Sequence, residues 1–396
     1  MILIDLHHTF NLALSQHLRI DWFPNSIILQ GASALEHELV RSSSQKKVII
    51  IEFQPWHTDT YDLSWADLLI FFTPEAIYQG LYHGLEEQII KQYNSDRYIF
   101  IAGGTECGDM GEKFYVKNPE TFAKVVCANL PMSFDYSNKT KLFDALLGVP
   151  KTFRIEIFNK IKKHNLLDCS LVNIMQLDEQ WSGNLYGPYF PDTAQFENYT
   201  SPELIPLEAS DLADIRTPTT FCSPQLLRHK GMKSIQELNQ AYGLDLQWNE
   251  TVDNIDQYPP MASQLLPDQI YNASWYSIVS ETYVGGPIFT TEKTAKCFLG
   301  KRIFVMFGSQ YVLADLREQG FKTFNNILDE SYDELKFIEP RVEAAWEQVL
   351  YLSKQDPADL YRRAADILEH NYHHLINLRR PMEQLKEFIF GHLSRL

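Results

Sequence analysis

The sequence predicts an α/β protein built on mainly parallel β-sheets, and three observations in its first third carry that prediction. Short apolar runs with β-branched and aromatic residues, typical of buried strands, occur at 47–53, 66–73 and 98–102. A helical pattern over 75–93 separates the second run from the third, and Pro74 stands at its start. Strand, helix and strand at this spacing predict a parallel sheet covered by helices.

A second α/β unit is predicted to begin near Lys141. Residues 141–148 are typical of a strand and turn, 153–164 of an amphipathic helix, and 169–177 of a further strand. Residues 178–267 are rich in Pro, Asp, Asn and Tyr and have weak periodicity. We interpret them as long loops and short helices over a binding cleft.

The C-terminal part continues the same pattern and ends in helices. The apolar run from Arg302 to Gly308 predicts a buried strand, 310–319 a helix, and Gly320 to Phe324 a short strand. The last sixty or so residues are almost wholly helical in pattern, for example over 342–354 and 358–370.

The composition and charge of the chain limit the classes of protein to which it can belong. The net charge of −16 argues against a broad binding surface for nucleic acid or anionic membrane. The five cysteines are scattered and have no metal-site spacing, which fits free thiols in a reducing compartment. The chain shows neither an apolar run long enough to span a bilayer nor the pattern of a signal peptide. We therefore expect a cytoplasmic protein with no membrane span.

Two basic residues occur at predicted helix starts, Arg154 and Lys293. An arginine in the first helical turn can direct its guanidinium group to a phosphate beside the helix N-terminus. Taken alone, an arginine such as Arg154 is more often a surface residue packed over apolar neighbours. A Glu–Lys pair such as Glu292 and Lys293 often does no more than form the solvated face of a helix. Together, however, Arg154 and Lys293 could bind one diphosphate from two strand–helix junctions.

These segments together resemble glycosyltransferases of the GT-B architecture, specifically the α-1,3-fucosyltransferase-like group and its relatives in phages and large viruses. The shared features, in chain order, are an arginine opening a helix, a glutamate ending a strand, a Thr-Glu-Lys signature opening a helix, and a strand ending in glycine. They correspond here to Arg154, Ser280-Glu281-Thr282, Thr291-Glu292-Lys293 and Val305-Met306-Phe307-Gly308.

The resemblance covers roughly 141–177 and 276–335, and it extends to a pattern shared with the viral relatives between Leu316 and Asp333. At Lys296-Cys297-Phe298 the chain departs from the fucosyltransferases proper. The transferred sugar therefore stays open. The acceptor stays open as well, because the resemblance does not extend to the first domain.

The resemblance implies two Rossmann-like domains facing a cleft. We expect an acceptor-binding domain at about 1–135, a donor-binding domain at about 136–340, and C-terminal helices at 341–396 that pack across both. It further implies an inverting transfer that needs neither a bound metal nor a cofactor, because basic side chains and helix N-termini offset the charge on the leaving group. The nucleotide-sugar is a substrate.

The resemblance also assigns donor-binding roles. Arg154 and Lys293 would contact the diphosphate, Glu292 the ribose or sugar hydroxyls, and Glu281 the transferred sugar. The remaining donor-side positions are Thr282, Thr291, Lys296 and Gly308.

A catalytic base is expected at a strand end of the first domain. Glu52 follows the apolar run Val48-Ile-Ile-Ile, so partial burial would raise its pKa toward a value suited to deprotonating a hydroxyl. An ion pair with a neighbouring strand end is an equally good explanation of Glu52. Glu106 and His57 are the other candidates for the base.

Three functions stay open on these grounds. The first is transfer of a sugar to a glycan or another hydroxyl acceptor. The second is a phage-type enzyme that glycosylates hydroxymethylated DNA, and the third is a non-catalytic nucleotide- or glycan-binding protein on a GT-B scaffold.

Overall fold

The computed structural model describes residues 1–5, 27–30, 35, 40, 42–52, 60–77, 79–105, 114–116, 139–148, 152–174, 268–286, 288–377 and 380–395. The chain divides into two compact units, one formed by Met1–Ala123 with Leu378–Leu396 and the other by Lys124–Asn377. Each unit contains a parallel β-sheet and helices, which confirms the α/β prediction.

The first unit contains a six-stranded sheet in the order β2-β1-β3-β4-β5-β6, in which the pairings are parallel. Its strands are β1 (Ile2–Asp5), β2 (Ile27–Gln30), β3 (Lys47–Glu52), β4 (Leu68–Ile77), β5 (Tyr98–Thr105) and β6 (Phe114–Val116).

The two faces of this sheet are covered by helices α1 (Gln79–Tyr93) and α8 (Arg380–Arg395). Because successive side chains of a strand point to opposite faces, β3 contributes to two clusters. Ile49 and Ile51 belong to the cluster that includes residues of α1, and Val48 and Ile50 to the cluster that includes residues of α8. Both faces of β3 are therefore buried, which explains why its consecutive residues are apolar.

Strand β4 extends past Pro74, where the sequence predicted the start of a helix. The helix prediction for 75–77 is wrong, since β4 runs to Ile77, and α1 begins at Gln79. The pairing of β4 with β5 shifts register between Thr73 and Ala76, and an irregularity of this kind accommodates a proline that cannot donate to the ladder.

The second unit contains a four-stranded parallel sheet in the order β10-β9-β7-β8. Its strands are β7 (Lys141–Gly148), β8 (Ser170–Ile174), β9 (Ser274–Ser280) and β10 (Ile303–Phe307). Its described α-helices are α2 (Thr152–Lys163), α3 (Asp268–Ala273), α4 (Glu292–Leu299), α5 (Val312–Glu318), α6 (Ile338–Leu352) and α7 (Pro357–Ile376). Short 3₁₀ helices occur at Leu167–Cys169 and Glu330–Glu334.

A buried ion pair connects β7 with the start of β10 near the amino end of this sheet. The Arg302 guanidinium, 1% exposed, lies 2.5 Å from the Asp144 carboxylate. Asp144 also accepts hydrogen bonds from the Ser274 and Ser277 hydroxyls at 2.9 Å each. Arg302 donates to the Tyr271 carbonyl at 2.9 Å. Both charges are therefore paired and hydrogen-bonded, as buried charges require.

The segment Gly320 to Phe324 is not a strand, contrary to the prediction. Phe321 stacks on Phe298 and Phe324 packs edge-on against Phe304, so the apolar residues that suggested a strand are buried at a spacing of three rather than two. The Asn371 side chain accepts a hydrogen bond from the main-chain N–H of Lys322 and donates one to its carbonyl oxygen, at 2.8 Å each. These two bonds take the place of pairing with a neighbouring strand.

Among the residues that the structure describes, none of the helices has the length and apolar character needed to cross a bilayer.

Candidate functional site

The candidate site lies where β7, β9 and β10 end. In a parallel sheet the carboxyl ends of the strands share one edge, and ligands of such sheets bind there. Helix α2 follows β7 and places Arg154 in its first turn. The loop after β9 begins with Glu281 and leads to α4, which opens with Glu292 and Lys293.

Arg154 is held against the end of β9 rather than exposed on the surface of α2. Its side chain is buried, and its Nε donates to the Ser280 hydroxyl at 2.9 Å. Its Nη2 donates to the carbonyl oxygens of Glu281 at 3.0 Å and of Ser280 at 3.4 Å. The burial argues against the alternative that Arg154 is a surface arginine.

Gly148 makes the turn from β7 toward α2 possible. It adopts a φ of +66°, a left-handed conformation that glycine occupies without steric cost. A Cβ atom at this position would lie 3.5 Å from Nη1 of Arg154. The glycine turn predicted at the end of this strand therefore places the chain beside the guanidinium group.

Glu281 joins β9 to the first turn of α4. Its carboxylate is fully buried and accepts from the Thr291 main-chain N–H at 3.0 Å, from the Thr291 hydroxyl at 2.5 Å and from the Thr294 hydroxyl. A carboxylate next to the N-terminus of a helix also interacts favourably with the helix dipole. In this structure Glu281 therefore acts on α4, and its carbonyl oxygen at the same time accepts from Arg154.

The first turn of α4 presents the Thr-Glu-Lys residues. Thr291 is the N-cap, and its hydroxyl oxygen accepts from the Lys293 main-chain N–H at 3.4 Å and from the Lys293 ammonium at 3.1 Å. The ammonium also lies 3.0 Å from the Glu292 carboxylate, and both side chains are about one-fifth exposed, at 21% and 22%. A solvent-borne ligand can therefore reach them.

A second lysine lies one turn deeper in α4. Burial lowers the pKa of Lys296 to about 8, although the Glu292 carboxylate opposes that shift. Burial alone would raise the pKa of Glu292, but the ammonium groups of Lys293 and Lys296 outweigh it and bring this pKa to about 2. The first turns of α4 thus hold one firmly ionised carboxylate between two ammonium groups.

The two remaining donor-side predictions also lie at this edge. Thr282 follows Glu281 and is partly exposed. Gly308 follows β10, and a Cβ atom there would meet Cγ1 of Val312 at 3.1 Å, closer than an ordinary contact. The structure therefore brings Arg154, Glu281 and the opening residues of α4 together at the ends of adjacent strands.

The base candidates belong to the first unit. Glu52 is the last residue of β3, at the carboxyl edge of its sheet. His57 and Glu106 lie outside the described residues, and the interpretation of 178–267 as loops falls outside them as well. Within the described part of the chain, no group of three or more His, Cys, Asp or Glu side chains is placed to hold a metal ion.

Two further residues support the site, and of these Arg341 was not identified from the sequence. Asp333, in the 3₁₀ helix Glu330–Glu334, accepts from the main-chain N–H groups of Leu313 at 3.0 Å and Ala314 at 2.9 Å, and so caps α5. Arg341, in α6, donates to main-chain carbonyls of the loops after β9 and β10. Its position on the apolar stripe of α6, beside buried Val342 and Ala345, is a signal that could have singled it out.

The arrangement offers a planar guanidinium, a partly exposed ammonium, a helix N-terminus and an ionised carboxylate within one region. The first three favour anionic oxygens and the last accepts hydrogen bonds from hydroxyl groups.

Comparisons of the chain with protein-family models, with curated proteins and with solved structures returned no match.

Proposed function

We propose that this chain is a glycosyltransferase that moves a sugar from a nucleotide-sugar donor to an acceptor hydroxyl. One observation carries the proposal: Glu281 contacts both predicted phosphate-binding elements. Its carbonyl oxygen accepts from Arg154 at 3.0 Å, and its carboxylate accepts from the N-cap residue Thr291 of α4. This chain of contacts supports the proposal that Arg154 and Lys293 bind one ligand.

The charge balance of this region supports a diphosphate as the group that it binds. Arg154 would bond phosphate oxygens, and Lys293 would neutralise the charge that develops on the departing nucleoside diphosphate. Glu292, ionised because of its two lysine neighbours, would accept hydrogen bonds from ribose or sugar hydroxyls. The carboxylate of Glu281 would act indirectly, by fixing the first turn of α4.

A GT-B architecture is part of the proposal. Two α/β units with parallel sheets support it, as does the division of the last helices, with α6 and α7 in the second unit and α8 in the first. In the proposed mechanism the first unit binds the acceptor, and a base deprotonates the acceptor hydroxyl as that oxygen attacks the anomeric carbon. The nucleoside diphosphate leaves in the same step, with inversion at that carbon. Glu52 is our candidate for the base.

A thermal-shift screen with UDP-, GDP-, CMP- and dTDP-sugars tests the donor site. We expect one nucleotide class to raise the melting temperature, because a ligand that binds only the native state stabilises it. Arg154→Ala should remove the shift. A wild-type protein whose melting temperature none of the four classes changes would contradict the proposal.

Release of nucleoside diphosphate separates an enzyme from a binding protein. A glycosyltransferase should hydrolyse its donor slowly without an acceptor, and Glu292→Gln should reduce that rate. Donor binding with no detectable hydrolysis, and with no transfer to glycans or to hydroxymethylated DNA, would instead support a non-catalytic nucleotide-binding protein.

A further inference from the structure

Arg341 is a buried arginine whose hydrogen bonds go to main-chain oxygens. It lies in the first turn of α6 and is 4% exposed. Its guanidinium donates to the carbonyl oxygens of Gly308 at 3.2 Å, Lys336 at 3.4 Å, and Val284 and Leu335. In the part of the chain that the structure describes, no carboxylate lies within ion-pair distance of it.

These carbonyl groups belong to three different segments. Val284 lies in the loop between β9 and α4, and Gly308 in the loop between β10 and α5. Leu335 and Lys336 precede α6. A single side chain therefore connects both strand-end loops of the candidate site to the helix behind them.

The two loops are also joined to each other. The Glu281 main-chain N–H donates to the Phe307 carbonyl at 2.9 Å, which extends the pairing of β9 with β10 by one residue. The Ser309 hydroxyl reaches the Tyr283 carbonyl at 3.5 Å. Moving either loop would therefore disturb Glu281, and with it the contacts to Arg154 and to the first turn of α4.

Asp333 acts on the charge of Arg341 from beyond ion-pair distance. Burying a cation with no carboxylate in direct contact is costly, so its presence here needs a reason. A planar guanidinium has five N–H groups in a fixed fork and can bond several carbonyl oxygens in different directions. An apolar side chain of similar size would fill the space but leave those carbonyl groups without partners. The geometry thus fits a residue that fixes the shape of two loops.

We propose that Arg341 is a positioning residue of the donor site, holding the loops after β9 and β10 in the shape that binds a nucleoside diphosphate. This inference rests on the proposed function. Arg341 would act through main-chain positions and would not touch the ligand, so its loss should affect binding through the order of the loops.

The test compares Arg341→Lys with Arg302→Lys. Both substitutions keep the positive charge and replace the planar guanidinium of a buried arginine with an ammonium. Arg302, however, makes its contacts at the amino end of the same sheet. A lysine presents one nitrogen in place of the three that bond Gly308, Leu335 and Val284. Arg341→Met removes all of these hydrogen bonds. The probes are UDP, GDP and inorganic pyrophosphate, measured by calorimetry, with hydrogen exchange of 281–291 and 306–312 followed in the free proteins.

We expect Arg341→Lys to speed exchange in both loop segments and to weaken binding of the probe that wild type binds by about 10- to 100-fold. Arg302→Lys should keep wild-type affinity and loosen 268–277 instead. The proposal is overturned if Arg341→Lys binds like wild type, whether or not exchange changes, or if Arg302→Lys weakens binding equally. A wild-type protein that binds none of the three probes overturns the proposed function, and this inference with it.

Discussion

Buried arginines at the two ends of the second unit's sheet have different hydrogen-bond partners. At the amino end, Arg302 lies against the Asp144 carboxylate, and serine hydroxyl groups complete the hydrogen bonding of the pair. At the carboxyl end, Arg154 and Arg341 donate to main-chain carbonyl oxygens of the strand-end loops.

This difference separates a structural arginine from arginines that prepare a site. A guanidinium paired with a carboxylate leaves no net charge, whereas one bonded to carbonyl oxygens retains its full positive charge. The carboxyl end also carries the N-terminus of α4 and the Lys293 ammonium. The buried charge at one end of the sheet is paired directly with a carboxylate, whereas the other end combines four cationic side chains with the carboxylates of Glu281, Glu292 and Asp333.

The largest expected effect is on stability and concerns the amino end. Asp144→Ala should lower the free energy of unfolding by about 3–5 kcal/mol, because it leaves Arg302 as a buried charge without its partner. Urea denaturation followed by circular dichroism measures this change. Nucleotide affinity of the folded fraction should stay at the wild-type value.

Loss of nucleotide binding in folded Asp144→Ala would break the comparison, since it would mean that the paired end of the sheet also shapes the site. Asp144→Asn is the milder variant, because it keeps a hydrogen-bond acceptor for the two serine hydroxyl groups.

The next effect concerns affinity and the carboxyl end. Arg154→Ala and Lys293→Ala should each weaken donor binding by about 1.5–3 kcal/mol, the usual contribution of a hydrogen bond to a charged group. Calorimetry with the donor identified by the thermal-shift screen measures it. Lys301→Ala is a matched control, because Lys301 is about as exposed as Lys293 and forms an ion pair with Glu369 just before β10.

Equal donor affinity in wild type, Arg154→Ala and Lys293→Ala would remove both residues from the donor site. If only Arg154→Ala weakens binding, the anion lies nearer to β7 and α2 than to the first turn of α4.

Local patterns predicted much of this region from the sequence. Short apolar runs identified β3, β7 and β10, because strands buried on both faces are almost continuously apolar. Strand–helix junctions predicted that Arg154 and Lys293 lie at helix starts, and α2 and α4 begin there. Those features depend on neighbours a few residues apart.

Contacts between distant segments could not be predicted in the same way. Glu281 bonds Thr291 and Thr294, ten and thirteen positions away in the sequence, and no periodic pattern encodes those contacts. Arg341 reaches Val284, 57 positions away in the sequence. Pro74 favoured a helix start by local rules, yet the pairing of β4 with β5 overrode that preference.

The smallest expected effect is a pH dependence that would sharpen the view of the carboxyl end as an anion site. Burial lowers the pKa of Lys296 to about 8 from an ordinary 10.5, so the second ammonium group of α4 is lost as the pH rises through about 8. Glu292, with a pKa of about 2, stays ionised throughout and does not contribute to the change. Affinity for UDP or GDP should therefore fall by roughly three- to tenfold between pH 7 and pH 9, an effect of about 1 kcal/mol.

The stability of the free protein should change in the opposite direction over this range. Between about pH 8 and 10.5 the unfolded chain keeps a proton on Lys296 that the folded protein has released, so this residue makes stability rise with pH. Calorimetry at pH 7, 8 and 9 measures the affinity, and urea denaturation at the same pH values measures stability. Lys296→Met should bind independently of pH while keeping the Lys293 contribution. A wild-type affinity that stays constant from pH 7 to 9, or one that falls equally in Lys296→Met, would show that the buried ammonium does not act on the ligand.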